Sequence, residues 1–278
     1  MTKQKKIFRY FIMTFFGLVM IYPIIWLFLA SFKTNEEIFG THTPLLPSSF
    51  SPEAYIKGWQ GSGTYTYTTF FLNTFKMVIP TVVFTLISTS LVSYGFARFR
   101  FPLKKILFTI MILTLMLPNS VIIIPRYLLF KKLGWLNSYL PWIAPAALAC
   151  YPFFIFQMIQ FFRGIPRELD EAAKIDGCSA WNILIHILLP LCKPALFSVG
   201  LFQCIWTWND FFNSMIFINS VDRYTLTLGL RMSLDTQAAV NWNQVMAMAI
   251  VTMIPLIILF FAAQKYFVEG ISTAGLKG

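Results

Sequence analysis

The chain has 278 residues, 57% of them hydrophobic and 12% charged, with a mean hydropathy of +0.67. Soluble domains carry about 25% charged residues, so this composition excludes a chain whose surface lies wholly in water. Its 22 basic residues outnumber 11 acidic ones, but they cluster beside the ends of apolar runs, which argues against a nucleic-acid binder.

The apolar runs predict an all-α membrane protein with six transmembrane helices, at about residues 11–31, 71–96, 106–129, 139–161, 194–218 and 243–267. Each is close to the roughly 20 apolar residues that cross a bilayer. Lys3, Lys5, Lys6 and Arg9 precede the first run. That run exceeds a signal-peptide core of about 7–15 residues and no clear small-x-small cleavage site follows it, so it reads as a retained span.

A long segment from Lys33 to Thr69, rich in Thr, Ser, Gly and Pro, is expected to fold over the outer mouth. Its Tyr65 and Tyr67 read either as anchors at headgroup level or as contacts for an external partner or solute. Arg98, Arg100, Lys104 and Lys105 lie between the second and third runs; Arg163, Arg167, Lys174 and Lys193 lie between the fourth and fifth; Lys265 and Lys277 follow the sixth. By the positive-inside rule both termini and the loop between the fourth and fifth runs are cytoplasmic. Arg126, Lys131 and Lys132 run against that pattern.

Several runs carry internal proline: Pro80, Pro118, Pro125, Pro145, Pro152 and Pro255. Membrane helices tolerate proline where neighbours or water satisfy the freed carbonyls. Such kinks suit a pathway that opens and closes, and they also occur in static bundles. Cys150, Cys178, Cys192 and Cys204 have no metal-ligand spacing, and His42 and His186 lie far apart; the thiols read as apolar filler. No phosphate-binding G-x-x-x-x-G-K-[ST] loop, G-x-S-x-G elbow or H-E-x-x-H helix is present.

The polar segment between the fourth and fifth runs carries the most information. Pro166 suits a first helical turn and Gly177 suits the left-handed residue that closes a helix. Arg167 and Glu171 are spaced i,i+4, and Glu171 and Lys174 i,i+3, so each pair can meet on one face. Ala172 and Ala173 keep the other side thin enough to enter a partner's groove. A short helix of this kind, held by membrane spans, can carry force between a membrane unit and a soluble one.

Glu171-Ala172-Ala173, three residues, Gly177, nine residues, then Ile187-x-Leu189-Pro190 resembles the EAA loop of binding-protein-dependent ABC importer permeases. Three further stretches resemble the carbohydrate subfamily, the smaller permease of the maltose type. They are Tyr94 to Pro102, Pro118 to Pro125 with Leu133-Gly134, and Trp208-Asn209-Asp210-Phe211. The ending, Gln264 to Gly278, is similar as well, although Gly270 to Leu276 departs from the commoner order.

The resemblance implies a type I ABC importer permease fold with both termini cytoplasmic. Residues 1–69 would hold the first span and outer loop, 70–267 the transmembrane core with its coupling loop at about 163–192, and 268–278 a cytoplasmic tail. It implies a second homologous permease, two ATPase subunits carrying the ATP and Mg, an extracytoplasmic solute-binding protein, a carbohydrate cargo and a bacterial plasma membrane. No cofactor would sit in this chain. Glu171, Ala172, Ala173, Asp176, Gly177, Ile187, Leu189 and Pro190 would couple to the ATPase, and Lys277 and Gly278 would reach between the ATPases.

Trp206, Asn209 and Asn213 are spaced i, i+3 and i+7, hence on one face of a continuous helix, with Asp210 beside them. Indole, amide and carboxylate suit a sugar path. The same groups also serve inter-helix hydrogen bonding with Trp as an interface anchor. Two other classes stay open at this point: a secondary transporter or channel not driven by ATP, and a membrane-embedded enzyme.

Overall fold

A computed structural model describes residues 3–41, 43–61, 64–234 and 240–274. Every regular element among them is helical. Among the described residues, four helical stretches are long and apolar enough to cross a membrane: Lys5–Ala30, Tyr67–Arg98, Leu140–Gly164, which is interrupted at 148–151, and Trp242–Gln264. Two bent pairs raise the number to six if each pair is one span.

The chain divides into two compact units, residues 1–68 with 229–255, and residues 69–228 with 256–278. In the first, α1 (Lys3–Ala30) exposes nearly all of its apolar side chains. Charged only before Tyr10 and apolar beyond it, the helix has lipid as its stable solvent, where it satisfies its own backbone. Thr34 then caps α2 (Asn35–Phe39) in a capping box. Thr34 Oγ1 accepts from Glu37 N at 3.3 Å, and Glu37 Oε2 accepts from Thr34 N at 2.8 Å, so two orphan amides at the helix start are satisfied together. Asn35 pins α2 to the start of α15, whose range is given below. Its Nδ2 donates to Val240 O at 2.8 Å and its Oδ1 accepts from Trp242 N at 3.0 Å. On α3 (Glu53–Gln60), a side chain at Gly58 would meet Met248 at 3.1 Å and the Gln244 carbonyl at 3.3 Å; glycine permits that approach.

Glu37 also accepts from Ser48 N at 2.9 Å through its second oxygen. The Thr34 amide, with the Ser48 hydroxyl and amide, pulls this carboxyl from an ordinary 4.5 down to about 2. A carboxylate with a depressed folded pKa stabilises its turn above the unfolded value and loses that contribution as the pH falls through the folded one. The stabilisation that this carboxylate gives the 34–48 turn is therefore expected to fall away between pH 4.5 and about 2. Pepsin cleavage within the turn, compared at each pH with Glu37→Gln, reads this. The wild-type protection is lost with acid and the variant's level does not depend on it.

In the second unit, α4 (Tyr67–Arg98) buries a column of small polar residues, among them Thr74, Thr81, Thr85, Ser88, Thr89 and Ser93. Several hydroxyls bond back to their own helix, as Thr81 does to Met77 O at 2.7 Å. Two reach across: Ser88 Oγ donates to Ala146 O at 2.6 Å and Ser93 Oγ to Ile155 O at 2.9 Å. Small hydroxyl residues let membrane helices approach closely and supply the bonds between them.

The expected third span is two helices, α5 (Lys104–Leu115) and α6 (Asn119–Lys132), bent by 106°. The break falls at Met116 to Pro118, where proline has no amide to give and disfavours helical backbone at Leu117. The expected fourth span is α7 (Leu140–Ala147) followed by α8 (Pro152–Gly164), with Ala149 at a φ of 57° between them. Ser88 thus serves a carbonyl at the end of α7 that lacks an ordinary helical partner. Pro118 and Pro152 therefore open new helices, whereas Pro80, Pro125, Pro145 and Pro255 lie inside helices.

Beyond α8 come α9 (Glu168–Ile175) and α10 (Ala180–Asn182), which runs through a π-helical turn (Ile183–Leu188) into α11 (Leu189–Leu191). After Cys192 the chain turns by 79° into α12 (Lys193–Trp208). Then follow α13 (Phe211–Phe217), a 3-10 turn (Val221–Arg223), α14 (Leu226–Met232) and α15 (Trp242–Ala274). The core that positions the site joins Tyr94 and Ala97 of α4, Phe154, Met158 and Phe162 of α8, and Ala173 of α9. Ile183, Leu184, Leu188, Cys192, Ala195 and Val199 complete it. His42, Lys277 and Gly278 lie outside the described residues.

Candidate functional site

The loop between α8 and α12 is a built structure. α9 begins at Glu168 with Arg167 as its N-cap, so Pro166 sits just ahead of the helix rather than in its first turn. Glu168, Asp170 and Glu171 occupy the first turn, where the helix dipole favours negative charge. The end is a Schellman motif. Gly177 has a φ of 82°, its amide donates to Lys174 O at 3.0 Å, and Cys178 N donates to Ala173 O at 2.9 Å. The glycine predicted to close the helix does so in the left-handed conformation that other residues resist.

Burial divides α9 into two faces. Asp170 and Ala173, three residues apart, are buried and seat the helix on the core. Glu168, Glu171, Ala172 and Ile175 are exposed and recur at i, i+3, i+4 and i+7, which makes one stripe. Ile175 is 86% exposed, the most exposed apolar side chain of the helix. Of the two alanines expected to keep a partner-facing side thin, Ala173 instead faces this chain's own core, while Ala172 is exposed.

The seat is held to the last turn of α4. Arg98 Nε lies 2.8 Å from Asp170 Oδ2, and both side chains are buried, with 6% and 11% exposure. That is a close ion contact rather than an aligned hydrogen bond. Arg98 Nη2 also donates to Ile165 O at 3.0 Å. Tyr94 Oη donates to Ala180 O at 2.9 Å. Arg167 Nη2 donates to Ala97 O at 3.3 Å, so the Arg167–Glu171 pairing predicted from spacing gives way to a tether. Removing one member of a buried ion pair costs about 3–5 kcal/mol, because the other charge is left unpaired in a dry site.

Downstream, Ile187 and Leu189 pack against the core cluster, while Asp176 and Pro190 are exposed. Pro190 has no amide for the His186 carbonyl, and the π-helical turn lies directly before it, with Leu189 N bonded to Leu184 O.

The other candidate group is rearranged. α12 ends at Trp208 and Asp210 caps α13, so Trp206, Asn209 and Asn213 do not share one continuous helix face. Asp210 is occupied. Its Oδ2 accepts from Trp142 Nε1 at 2.7 Å and from Asn213 Nδ2 at 2.9 Å, and its Oδ1 accepts from Asn213 N at 3.2 Å. Of the two sequence readings of this group, a sugar path or inter-helix bonding, the carboxylate shows the bonding: it caps α13 and holds Trp142 of α7. Trp206 remains half exposed, with ring centroids 5.2 Å from Phe153 and 5.0 Å from Phe154. Asn209 is exposed and donates to Ile205 O at 2.9 Å.

Asp170, Ile175 and the buried role of Arg98 were missed in the sequence. Arg98 was counted with the cytoplasmic basic residues. Helical spacing along 168–175 was the available signal, since it pairs Asp170 with Ala173 at i, i+3 and turns the adjacent acid Glu171 to another side.

These features define an all-helical chain with helices long and apolar enough to cross a membrane, and comparison with known proteins identifies the class. The family described as "Binding-protein-dependent transport system inner membrane component" matches residues 89–273. The chain is 34% identical over 258 residues to the probable ABC transporter permease protein YurM of Bacillus subtilis, covering 92% of this chain and 84% of YurM. It is 32% identical over 266 residues to the arabinooligosaccharides transport system permease protein AraQ of Halalkalibacterium halodurans, covering 95% and 94%. A crystal structure of a bacterial ABC transporter involved in the import of the acidic polysaccharide alginate contains a chain with the same fold. Its TM-score is 0.82 at 25% identity, over 96% of this chain and 99% of that one.

The chain belongs to the family of binding-protein-dependent transport system inner membrane components. It is a permease subunit of an ABC transporter and not an enzyme, which closes the two alternative classes left open above.

Proposed function

We propose that this chain is one of two homologous permeases of an ATP-driven importer of sugars or oligosaccharides. It would cross a bacterial plasma membrane six times with both termini in the cytoplasm. One span would then be the bent pair α5 with α6, and another would start at α12, from which α10 to α11 turn away by 79° into the cytoplasmic loop. Bent helices at membrane depth are tolerated where they are buried in protein or line a water-filled cavity. The arabinooligosaccharide permease relative supports the cargo class.

The observation that carries the coupling role is the outward stripe of α9. Glu168, Glu171, Ala172 and Ile175 form an exposed face with one apolar anchor, two acids and one small residue. Helix-in-groove docking uses such i, i+3, i+4, i+7 anchors. The acids orient the helix against a basic groove rim, and Ile175 supplies buried area. The groove belongs to an ATPase subunit, whose closure on ATP pushes α9 and switches the path. Asp176, Gly177, Ile187, Leu189 and Pro190 shape and seat the loop behind that face. Lys277 and Gly278 are assigned to the same cytoplasmic side.

For the path, Trp206 and Asn209 are the retained candidates. Trp206 offers a half-exposed indole face, which can stack on the C–H face of a sugar ring. Asn209 offers an exposed amide. Asp210 and Asn213 hold the helix break beside them.

Purification of the chain from its own membrane tests the assembly. A second permease and two ATPase subunits should accompany it. Titration of the partner binding protein against a sugar panel then identifies the cargo. A stable homo-oligomer that transports solute by itself contradicts the reading.

A further inference from the structure

We propose that Arg98 and Asp170 form the positioning joint through which a displacement of α9 reaches α4. This rests on the reading of α9 as the ATPase-coupling helix. Four links run from the loop to residues 94–98: Asp170 to Arg98, Ile165 to Arg98, Arg167 to Ala97, and Ala180 to Tyr94. They leave the loop before, within and after α9, yet all end on one turn of one helix. A push on the exposed stripe therefore cannot slide α9 along the core without carrying the end of α4.

The ion pair decides how that joint behaves. Both side chains are nearly removed from solvent. Separating them would strand two opposite charges in an apolar cluster, which is strongly disfavoured. The links to backbone carbonyls can stretch or exchange with water, whereas the pair of opposite charges holds until the whole seat opens. α4 is suited to receive the motion. It runs unbroken from Tyr67 to Arg98 and is itself bonded to α7 and α8 through Ser88 and Ser93.

The test separates positioning from folding. In the double variant Arg98→Gln with Asp170→Asn, both charges go together, so no buried charge is left alone and the seat can form. The complete transporter carrying this variant is reconstituted with its binding protein, and ATP hydrolysed per solute imported is measured beside the amount of ATPase that co-purifies. The expected result is normal co-purification with ATP use per solute raised about tenfold, the size of effect mutations have on coupling networks. The single variants Arg98→Gln and Asp170→Asn should lose assembly as well, because each strands a charge. Wild-type ATP use per solute in the double variant overturns the proposal. So does loss of assembly in the double variant, which would make the pair a folding element only. Failure of the coupling reading itself would show separately, as normal uptake in Glu171→Lys.

Discussion

Glu171→Lys is expected to reduce solute uptake about a hundredfold while the chain still inserts and folds. The side chain is exposed, so no packing is lost. The chain's own cost is a cation in the first turns of α9, worth about 0.3–1 kcal/mol against the helix dipole. The loss at the interface is larger. Reversing a charge that faces a basic rim replaces attraction with repulsion, and disrupting a buried interfacial charge pair costs about 2–5 kcal/mol. Uptake by the reconstituted transporter, with binding-protein-stimulated ATP hydrolysis measured in parallel, checks this. Both should fall together, with membrane insertion unchanged.

Phe162→Ala is expected to destabilise the chain by about 3–5 kcal/mol, the usual range for emptying a fully buried aromatic site. Phe162 is completely buried at the end of α8, with its ring centroid 6.2 Å from that of Tyr94. Its cluster is the floor on which Ala173 seats α9. The neighbouring Phe161 is 40% exposed, and Phe161→Ala should stay within about 0.5 kcal/mol. Denaturant titration of the two variants in the same detergent gives the comparison. Equal effects at the two positions would show that the cluster is not the support described here.

The sequence reported the helical class, the runs and the loop motif because each is a local signal. Hydropathy reads burial in lipid, and Gly177 reads a backbone angle. What it could not report is set by tertiary partners. Asp210 looks identical in sequence whether its carboxylate stands open or is taken up by Trp142 and Asn213, and only the fold brings Trp142 to it. Arg98 looks like any basic residue at a span end until Asp170 arrives from 72 positions later. Pro118 announced a kink, but whether a proline bends a helix or starts another depends on which neighbours satisfy the freed carbonyls. The helix break at Asn209–Asp210 had no proline or glycine to mark it.

The proposed coupling role requires that an ATPase subunit hold the outward stripe of α9. A photoreactive amino acid at Ile175, the most exposed apolar position on that stripe, tests it in the assembled transporter in its own membrane. Illumination should yield one adduct between this chain and the ATPase subunit, and Glu171→Lys should abolish it. Adducts only with lipid, or none with any soluble subunit, would contradict the account.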